Sequence, residues 1–486
     1  MKTDVLVIGG GVMGCAVAYQ LAQYQIHVTV LEKSSDVANG TSKANSGIAH
    51  NGMGEKPGTL RGKYIRQGTA IIKELCEGLH VPFHHRVGSL TVGFDEDDRK
   101  KLQHLQAMGR ELGILDSEIL EGEKIFELEP YVSRDVKYAL FNPGISTICP
   151  YEFTVAMAES AAINQVEFLL NHEVTGIECR DGKILCVHTD QGDFEPEVVI
   201  NAAGLYADKI AAMVEEIDFE IRPRRGEYLL YDKKMGKYVS HIISNLGTDK
   251  SKGMIILPTV HGNILAGSSA TMIDDKDDVA TTGEKLDFIY DKVVKRIVPA
   301  LPRMGDVITT FAGNRAAATG DDFIVAHAKS VHSMINLAGI QSPGIVAAPA
   351  IAMDVVKMVE SCGISLVKKE GYKPFRPKPV VIQDLSPDEL NALIKENPDY
   401  GEIICRCETI SKGEILAAIH APVPATTVDA IKRRTRAGMG RCQGGFCGPR
   451  ILEILACELG VDMTEVCKSN KGSNMVKCQT KEGPQI

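Results

Sequence analysis

The chain has 486 residues, 44% of them hydrophobic and none of them tryptophan, and its net charge at pH 7 is −9. This length predicts roughly two to four domains of an ordinary globular protein, and the acidic balance argues against a nucleic-acid partner. The longest apolar stretch, 345–359, contains Pro349, Asp354 and Lys357 and is too short for a direct membrane span.

The chain contains thirteen cysteines, and its first segment is typical of a buried strand rather than of a secretory leader. Free thiols in this number favour a reducing compartment. We therefore expect a cytoplasmic protein that reaches a membrane, if at all, peripherally through a partner.

The first predicted elements form a dinucleotide-binding fingerprint. A strand at 4–8 is followed by Gly9, Gly11 and Gly14 in the G-x-G-x-x-G register, by a helix, and by a strand that ends in Glu32. The first glycine permits the tight turn, the second lets a pyrophosphate approach, and the third lets helix and strand pack closely. The helix N-terminus then binds the phosphate charge, and Glu32 accepts the ribose hydroxyls.

Later segments return to the same site, which favours FAD over a nicotinamide cofactor. VVINAAG predicts a buried strand with a sharp turn at Gly204, and residues 334–338 predict another strand that turns at Gly339. Ser342 and Pro343 then predict a cap and first turn of a long helix. Such a helix start can direct N–H groups at the flavin ring, although an ordinary βα unit is the alternative interpretation.

Near the end of the chain, four cysteines form two close pairs: Cys405 with Cys407, and Cys442 with Cys447. Two such pairs can converge on one inorganic centre. Arg406, Arg441 and the basic run 432–436 surround them in sequence, which favours an anionic [2Fe–2S] cluster. Gly448 and Pro449 predict a helix whose N-terminus points at the sulfurs. A zinc site with four thiolates is the alternative, because the spacing alone does not settle the metal.

Several longer stretches resemble a known family: DVLVIGGGVMGCAVAYQLAQ, GTSKANSGIAHNG, VINAAGLYAD, FAGNRA and IQSPGIVAAPAIA. They are similar to the FAD-dependent D-amino-acid-oxidase-like superfamily, and within it to the glycerol-3-phosphate dehydrogenases and L-2-hydroxyglutarate oxidoreductases. The ICRCETISKGEI and TRAGMGRCQGGFCGPR stretches resemble the bacterioferritin-associated-ferredoxin-like [2Fe–2S] domain of anaerobic glycerol-3-phosphate dehydrogenase large subunits. The resemblance implies an α/β fold with a Rossmann-like FAD-binding domain, an antiparallel-sheet substrate domain of α+β type and a small helical [2Fe–2S] domain.

The resemblance also implies which residues hold the cofactors. The pyrophosphate and ribose contacts would be Gly9, Gly11, Gly14, Glu32 and Lys33, followed by Thr41 and Ser42 at the phosphates or ribityl chain. The remaining FAD contacts would be Ser46, Gly47 and His50 along the ring, Val174 at the adenine, Ala203 and Gly204 against the nucleotide, and Gly339, Pro343 and Gly344 near the flavin. The cluster ligands would be Cys405, Cys407, Cys442 and Cys447.

Oxidation of a secondary alcohol needs a hydride acceptor, a base and a clamp for the anionic end of the substrate. His50 is the candidate base, because imidazole titrates near working pH, and a loop histidine bonded to backbone is the alternative. Arg315 in FAGNRA is the candidate clamp, with an ordinary surface arginine as the alternative. Arg222, Arg224 and Arg225 are further basic candidates, for which a solvated strand edge is an equally good interpretation.

We therefore expect an FAD-dependent dehydrogenase that oxidises sn-glycerol 3-phosphate to dihydroxyacetone phosphate. Electrons would pass through the cluster to partner subunits, a second flavoprotein and/or an iron–sulfur protein, or to a soluble carrier. The alternatives are an L-2-hydroxy acid such as 2-hydroxyglutarate as substrate, an amine or imino acid, and a redox sensor without catalysis.

The expected organisation is discontinuous. Strands SLTVGF and GEYLLYD predict an antiparallel sheet, and KKEGYKPFRPKP predicts a semi-rigid linker. The expected ranges are 1–80, 150–220 and 306–365 for the FAD-binding domain, 81–149 and 221–305 for the substrate domain, 366–399 for the linker, 400–460 for the [2Fe–2S] domain and 461–486 for a polar tail.

Overall fold

The computed structural model describes residues 1–247 and 253–478. The parts of the predicted substrate domain at 248–252 and of the predicted tail at 479–486 lie outside the described residues. The strands β1–β22 of the described part are, in chain order, Lys2–Ile8, Val28–Glu32, Ile48–Ala49, Phe83–His84, Ser89–Gly93, Glu118–Glu121, Tyr138–Asn142, Ser146–Ile148, Glu167–Leu170, Val174–Arg180, Lys183–Thr189, Gly192–Asn201, Ile221–Tyr231, Ile242–Asn245, Ile255–Pro258, Ile264–Gly267, Thr271–Met272, Val307–Ala318, Ile324–His327, Met334–Ala338, Ile403–Cys405 and Ile410–Ser411.

The α-helices of the described part alternate with these strands in the first half of the chain and dominate its end. The helices α1–α13 are, in chain order, Val12–Leu21, Leu60–Leu79, Glu96–Glu111, Glu123–Leu128, Pro150–Ala162, Ala207–Ala211, Gly283–Ile289, Lys295–Ile297, Gly344–Ser361, Pro387–Glu396, Lys412–Ile419, Val428–Thr435 and Gly448–Leu459. None of the helices in residues 1–247 and 253–478 has the length and apolar continuity that a bilayer crossing requires.

A parallel sheet carries the glycine-rich turn. Its strands run in the order β9, β2, β1, β12 and β20, all parallel, and β19 lies antiparallel to β20 at one edge. Residues of β1 alternate between two cores: Val5 and Val7 pack with helices α1, α5 and α9, whereas Leu6 and Ile8 pack with the β10–β11 hairpin and α6. Both faces are therefore covered, which explains why β1 is apolar at every central position.

A second, mostly antiparallel sheet lies beside the first. Its order is β17, β13, β16, β15, β14, β5, β7 and β6, and β18 pairs with β13 along its whole length. The expected start of the last FAD-binding segment at residue 306 is therefore wrong, because Val307–Ala318 belongs to this sheet. The FAGNRA motif is part of that strand, so it approaches the parallel sheet from the antiparallel sheet.

The C-terminal unit is small and helical, as expected. A two-stranded hairpin of β21 and β22 and the helices α11, α12 and α13 surround a core that includes Ile415, Ile431 and Leu455. A capping box starts α11: Ser411 Oγ accepts from the Glu414 backbone N–H, and the Glu414 carboxylate accepts from the Ser411 N–H at 2.8 Å.

The predicted linker 366–399 is ordered against the FAD-binding layer. Asn164 Nδ2 donates to the Lys373 carbonyl at 2.7 Å, and Arg376 forms an ion pair with the buried Glu159. The range also contains α10, whose capping box of Ser386 and Glu389 was not anticipated. The segment therefore behaves as a packed strap rather than as an isolated spacer.

Candidate active site and cluster site

A cavity of about 560 Å³ lies between the two sheets. Every predicted FAD or catalytic position lines it except Gly14, Gly47 and Gly339. The predicted residues in its wall are Gly9, Gly11, Glu32, Lys33, Thr41, Ser42, Ser46, His50, Val174, Ala203, Gly204, Arg315, Pro343 and Gly344. The fold thus brings together residues that are separated by more than three hundred positions in the chain.

The three remaining glycines lie behind the cavity wall, where a side chain would not fit. A Cβ atom at Gly14 would lie 1.8 Å from the Gly9 carbonyl oxygen, and one at Gly47 would lie 2.4 Å from the Ile148 carbonyl oxygen. Gly339 has a positive φ of 66°, and its Cβ would lie 2.7 Å from Ala318. These positions shape the cavity through close packing.

The N-terminus of α1 lies in the cavity wall, and no acidic side chain in its first turn offsets the positive end of the helix dipole. Gly11 occupies the N-cap without a side-chain hydrogen bond, and the first turn contains no acidic residue. Ser42 Oγ accepts from the Val12 N–H at 2.9 Å, which joins the segment after β2 to the helix start. The Glu32 carboxylate accepts from the Gly10 N–H at 2.6 Å and is held at the rim. This cradle fits a dinucleotide pyrophosphate.

The long helix α9 begins differently from the prediction. Pro343 occupies its N-cap and no side chain caps it, so the expected Ser342 cap is wrong. Both residues line the cavity, and Gly344 is the first helical residue there. The Gly344 N–H donates to the Gln341 carbonyl at 2.7 Å, and the N-terminus of this second helix lies in the cavity wall.

The antiparallel sheet contributes two facing arginines to the cavity. Arg224 on β13 is directly opposite Arg315 on β18, and both side chains line the wall. Arg315 contacts Ser268 Oγ, and Arg224 Nη2 donates to Gln341 Oε1 at 2.5 Å. Arg224 Nε is buried and has no hydrogen-bond partner among the described residues. Burial and the adjacent Arg315 lower the pKa of Arg224, as expected where positive charge is crowded.

The three arginines of IRPRRG have three different environments. Arg222 is exposed and pairs with Glu220 at 2.9 Å, so the solvated interpretation holds for it. Arg225 is buried against Asp278 at 2.5 Å, whereas Arg224 lies in the cavity. The alternation of side chains along β13 separates Arg225 from Arg224 and Tyr228, but it places Arg222 on the same face as Arg224, so the sequence alone does not distinguish those two.

His50 follows the short strand β3 and is half-buried in the cavity wall. Its carbonyl oxygen accepts a hydrogen bond from Thr69 Oγ1 at 2.8 Å, which fixes this main chain to α2. Arg61, also in the wall, was not predicted; it pairs with Asp321 at 3.3 Å and Glu55 at 3.7 Å. Asp322 accepts from the Leu60 and Arg61 N–H groups at the start of α2, a long-range contact that no local sequence pattern indicates.

The four predicted ligand cysteines converge in the C-terminal unit. Cys407 Sγ lies 3.8 Å from Cys405 Sγ and 3.8 Å from Cys442 Sγ, and Cys405 is also hydrogen-bonded to Cys447. Cys405 and Cys447 are buried, whereas Cys407 is exposed. Three further cysteines near the end of the chain, Cys457, Cys467 and Cys478, are also free thiols.

Comparison with known proteins settles the family. The profile for the FAD dependent oxidoreductase (DAO) family matches residues 4–358, and the profile for the BFD-like [2Fe-2S] binding domain matches residues 403–457. The chain belongs to the FAD dependent oxidoreductase family. The expected family, fold class and cofactors, FAD and a [2Fe–2S] cluster, are thereby confirmed.

Individual relatives extend the likeness over the whole chain. It is 46% identical over 482 residues, 99% of its length and 100% of the relative's, to a glycerol 3-phosphate dehydrogenase of Caloramator mitchellensis. It is 25% identical to the anaerobic glycerol-3-phosphate dehydrogenase subunit A1 of Haloferax volcanii, over 94% of this chain and 83% of that protein. The FAD-bound L-alpha-glycerophosphate oxidase of Mycoplasma pneumoniae superposes with a TM-score of 0.74 at 32% identity, over 78% of this chain and 100% of that one.

The cysteine environment of this FAD dependent oxidoreductase fits a thiolate-bound cluster. The Gly438 and Glu408 backbone N–H groups donate to Cys405 Sγ. The hydrogen bond with Cys447 lowers the pKa of Cys405 to about 5, whereas burial and the neighbouring Cys405 raise the pKa of Cys407 to about 11. Adjacent thiols thus resist joint ionisation, and bound iron cations would remove that resistance.

The oxidoreductase docks its [2Fe–2S] domain onto its FAD-binding layer through a buried ion-pair network. Asp36, fully buried, accepts from Arg433 Nη2 at 2.6 Å and from Arg434 Nη2 at 2.9 Å. Arg434 also lies 3.4 Å from Glu159 of α5. The expectation that the run 432–436 serves the cluster is therefore wrong for Arg433 and Arg434, because they neutralise acids of the other layer.

Proposed function

We propose that the chain oxidises sn-glycerol 3-phosphate to dihydroxyacetone phosphate in the FAD cavity and passes the electrons through its [2Fe–2S] domain to a partner protein. The facing pair Arg224 and Arg315 carries this proposal. Neither guanidinium forms an ion pair with a carboxylate of the described residues, and Arg224 Nε is buried without a partner. A phosphate dianion offers enough charge and acceptor oxygens for two guanidinium groups.

The cavity residues have three roles: proton transfer, substrate binding and cofactor binding. FAD, when bound, supplies the acceptor for the hydride of the carbinol carbon. His50 accepts the hydroxyl proton, while Arg224 and Arg315 hold the phosphate at the antiparallel wall. The glycine-lined helix starts of α1 and α9 hold the cofactor at the opposite wall. The substrate is thereby fixed between the two sheets, away from bulk water.

The relatives support the same substrate, because those named above are called glycerol 3-phosphate dehydrogenase or glycerophosphate oxidase. The Haloferax relative is named as a subunit, which supports delivery of electrons to another chain. An intrinsic one-electron centre in a two-electron oxidoreductase also favours a relay to a protein acceptor over direct use of oxygen.

An anaerobic substrate panel tests the proposal. Holoprotein is mixed with sn-glycerol 3-phosphate, L-2-hydroxyglutarate or L-proline, and the visible absorbance of the flavin is followed together with the ketone formed. We expect glycerol 3-phosphate alone to bleach the flavin rapidly and to yield stoichiometric dihydroxyacetone phosphate. Rapid bleaching by 2-hydroxyglutarate but not by glycerol 3-phosphate would assign the hydroxy-acid alternative. No bleaching by any substrate would favour a sensor.

A further inference from the structure

An exposed aromatic residue lies beside the cluster ligands. Phe446 directly precedes Cys447, its backbone N–H donates to Cys442 Sγ, and the residue is 83% exposed. The core of the C-terminal unit is formed without it, by residues such as Ile451 and Leu455 of α13. A large apolar side chain that is held in solvent at a loop tip suits contact with another molecule better than folding.

The same face is positively charged, although the chain as a whole carries −9. The cysteine loops 405–409 and 438–447 contain the exposed Arg406 and Arg441 and only one acidic residue, Glu408. Glu408 is 4% exposed and is neutralised by Arg436 at 2.9 Å and by Lys233 at 3.0 Å. The exposed charge of the two loops is therefore basic, with Arg441 partly compensated by Asp232.

The exposed ligand lies on this face as well. Cys407 is exposed, whereas Cys405 and Cys447 are buried in the core of the unit. The solvent-facing side of the cluster site is thus the side that carries Arg406 beside Cys407 and Phe446 between Cys442 and Cys447. Electron transfer to an external acceptor is fastest where the least protein separates the two centres.

We propose that Arg406, Cys407, Arg441 and Phe446 form the docking surface of a small acidic one-electron carrier protein. This inference rests on the proposed function only in that electrons leave by the cluster. The carrier's acidic residues meet the arginines and set the encounter rate, and Phe446 anchors the contact at its centre. Each oxidised alcohol releases two electrons and two protons. Two carrier molecules are each reduced by one electron, and the protons pass to solvent.

The test compares two haem proteins of opposite charge, the acidic soluble domain of cytochrome b5 and the basic cytochrome c. Full-length holoprotein is first reduced with a limiting amount of dithionite, so the assay does not depend on the organic substrate. We expect faster reduction of cytochrome b5 than of cytochrome c at low salt, and a loss of this preference as salt rises. Faster reduction of cytochrome c at low salt would overturn the proposal.

Two variants locate the surface. Phe446→Ser and Arg406→Glu are each expected to lower the second-order rate constant with cytochrome b5 about tenfold, and Arg406→Glu to raise the rate with cytochrome c. The matched controls are Phe288→Ser and Arg180→Glu, since Phe288 is 45% exposed and the Arg180 side chain 71% exposed at sites outside the C-terminal unit. Rates in the two test variants no lower than in the controls would overturn the proposal.

Three further measurements accompany the rate constants: the visible spectrum, a binding titration and sedimentation. The visible spectrum verifies the cluster in each variant, and Phe446→Leu and Arg406→Gln replace any variant that loses it. Direct titration with oxidised cytochrome b5 gives a dissociation constant without turnover. This dissociation constant should rise in the test variants as their rate constants fall. Sedimentation of the wild-type protein as a dimer that Phe446→Ser dissociates would assign the face to a second copy of the chain and refute the carrier. If glycerol 3-phosphate fails to bleach the flavin while this test succeeds, only the substrate assignment fails.

Discussion

Arg224 of β13 and Arg315 of β18 are direct cross-strand partners, and both guanidinium groups reach the same cavity. Like charges in this position destabilise a sheet, so the pair lowers the stability of the substrate-free protein. Burial lowers the pKa of Arg224, and the adjacent Arg315 lowers it further. A bound dianion removes the repulsion, which means that substrate binding and local stability are coupled.

Arg224→Gln and Arg315→Gln should therefore each raise the KM for sn-glycerol 3-phosphate at least tenfold. One charge-assisted hydrogen bond contributes about 1.5–3 kcal/mol, and part of it is lost in each variant. Neither change should lower the melting temperature of the substrate-free protein, because a repulsive pair is broken. Arg222→Gln, on the same strand but in solvent, is the control. Unchanged KM values in both cavity variants would exclude this pair as the phosphate clamp.

His50→Gln should slow flavin reduction without loss of the cofactor. If the imidazole accepts the hydroxyl proton, the rate constant at saturating substrate falls by a factor of about 10² to 10⁴. Single-turnover absorbance measurements give this constant, and the flavin content is measured on the same samples. The control is His84→Gln, since His84 is exposed on β4. A change confined to KM would instead assign His50 a binding role.

Local patterns predicted most of the parallel layer. The expected strands at 4–8 and 334–338 correspond to Lys2–Ile8 and Met334–Ala338. The long helix expected after Pro343 corresponds to Gly344–Ser361. These elements were predictable because buried parallel strands are continuously apolar and because glycine marks turns that other residues disfavour. The cavity residues of the glycine-rich turn follow from the same local signals.

Long-range partners were not predictable in this way. Val307–Ala318 joins the antiparallel sheet because it pairs with Ile221–Tyr231, a contact between segments that no local pattern connects. The interpretation of Arg433 and Arg434 failed for the same reason, since Asp36 lies almost four hundred residues away in the chain. A run of basic residues shows that acids or anions are needed nearby, but it does not identify them.

Gly11→Ala and Gly14→Ala should fail in different ways. A Cβ at Gly14 would lie 1.8 Å from the Gly9 carbonyl oxygen, so this variant should unfold at a much lower temperature or fail to accumulate. A Cβ at Gly11 meets only Ser42 Oγ at 3.4 Å, and the fold should tolerate it. Because the new methyl group enters the cavity at the helix start, the dissociation constant for FAD should rise at least tenfold. Equal FAD affinity in Gly11→Ala and wild type would contradict the cradle.

Asp36→Asn should release the [2Fe–2S] domain while leaving the flavin site active. Removal of one partner from a buried ion pair costs about 3–5 kcal/mol, because two guanidinium groups remain buried without their acid. Substrate should still bleach the flavin at the wild-type rate, whereas reduction of the cluster slows and protease cleaves within 366–399. Asp116→Asn is the control, since the Asp116 pair with Arg86 is exposed and contributes little. Intact docking in Asp36→Asn would show that apolar contacts suffice.

The contact between the [2Fe–2S] domain and the FAD-binding layer should also persist in weak acid. Burial alone would raise the pKa of Asp36, but Arg434 and Arg433 outweigh burial and hold it below its usual value. A carboxyl whose pKa is lowered on docking contributes stability above its undocked pKa, near 4, and loses it as the pH falls through the lowered value. Protease sensitivity of 366–399, followed against pH at constant salt, should therefore rise only below about pH 4. A rise centred above the usual aspartate range would show that another group controls the contact, and Asp36→Asn should lack the transition altogether.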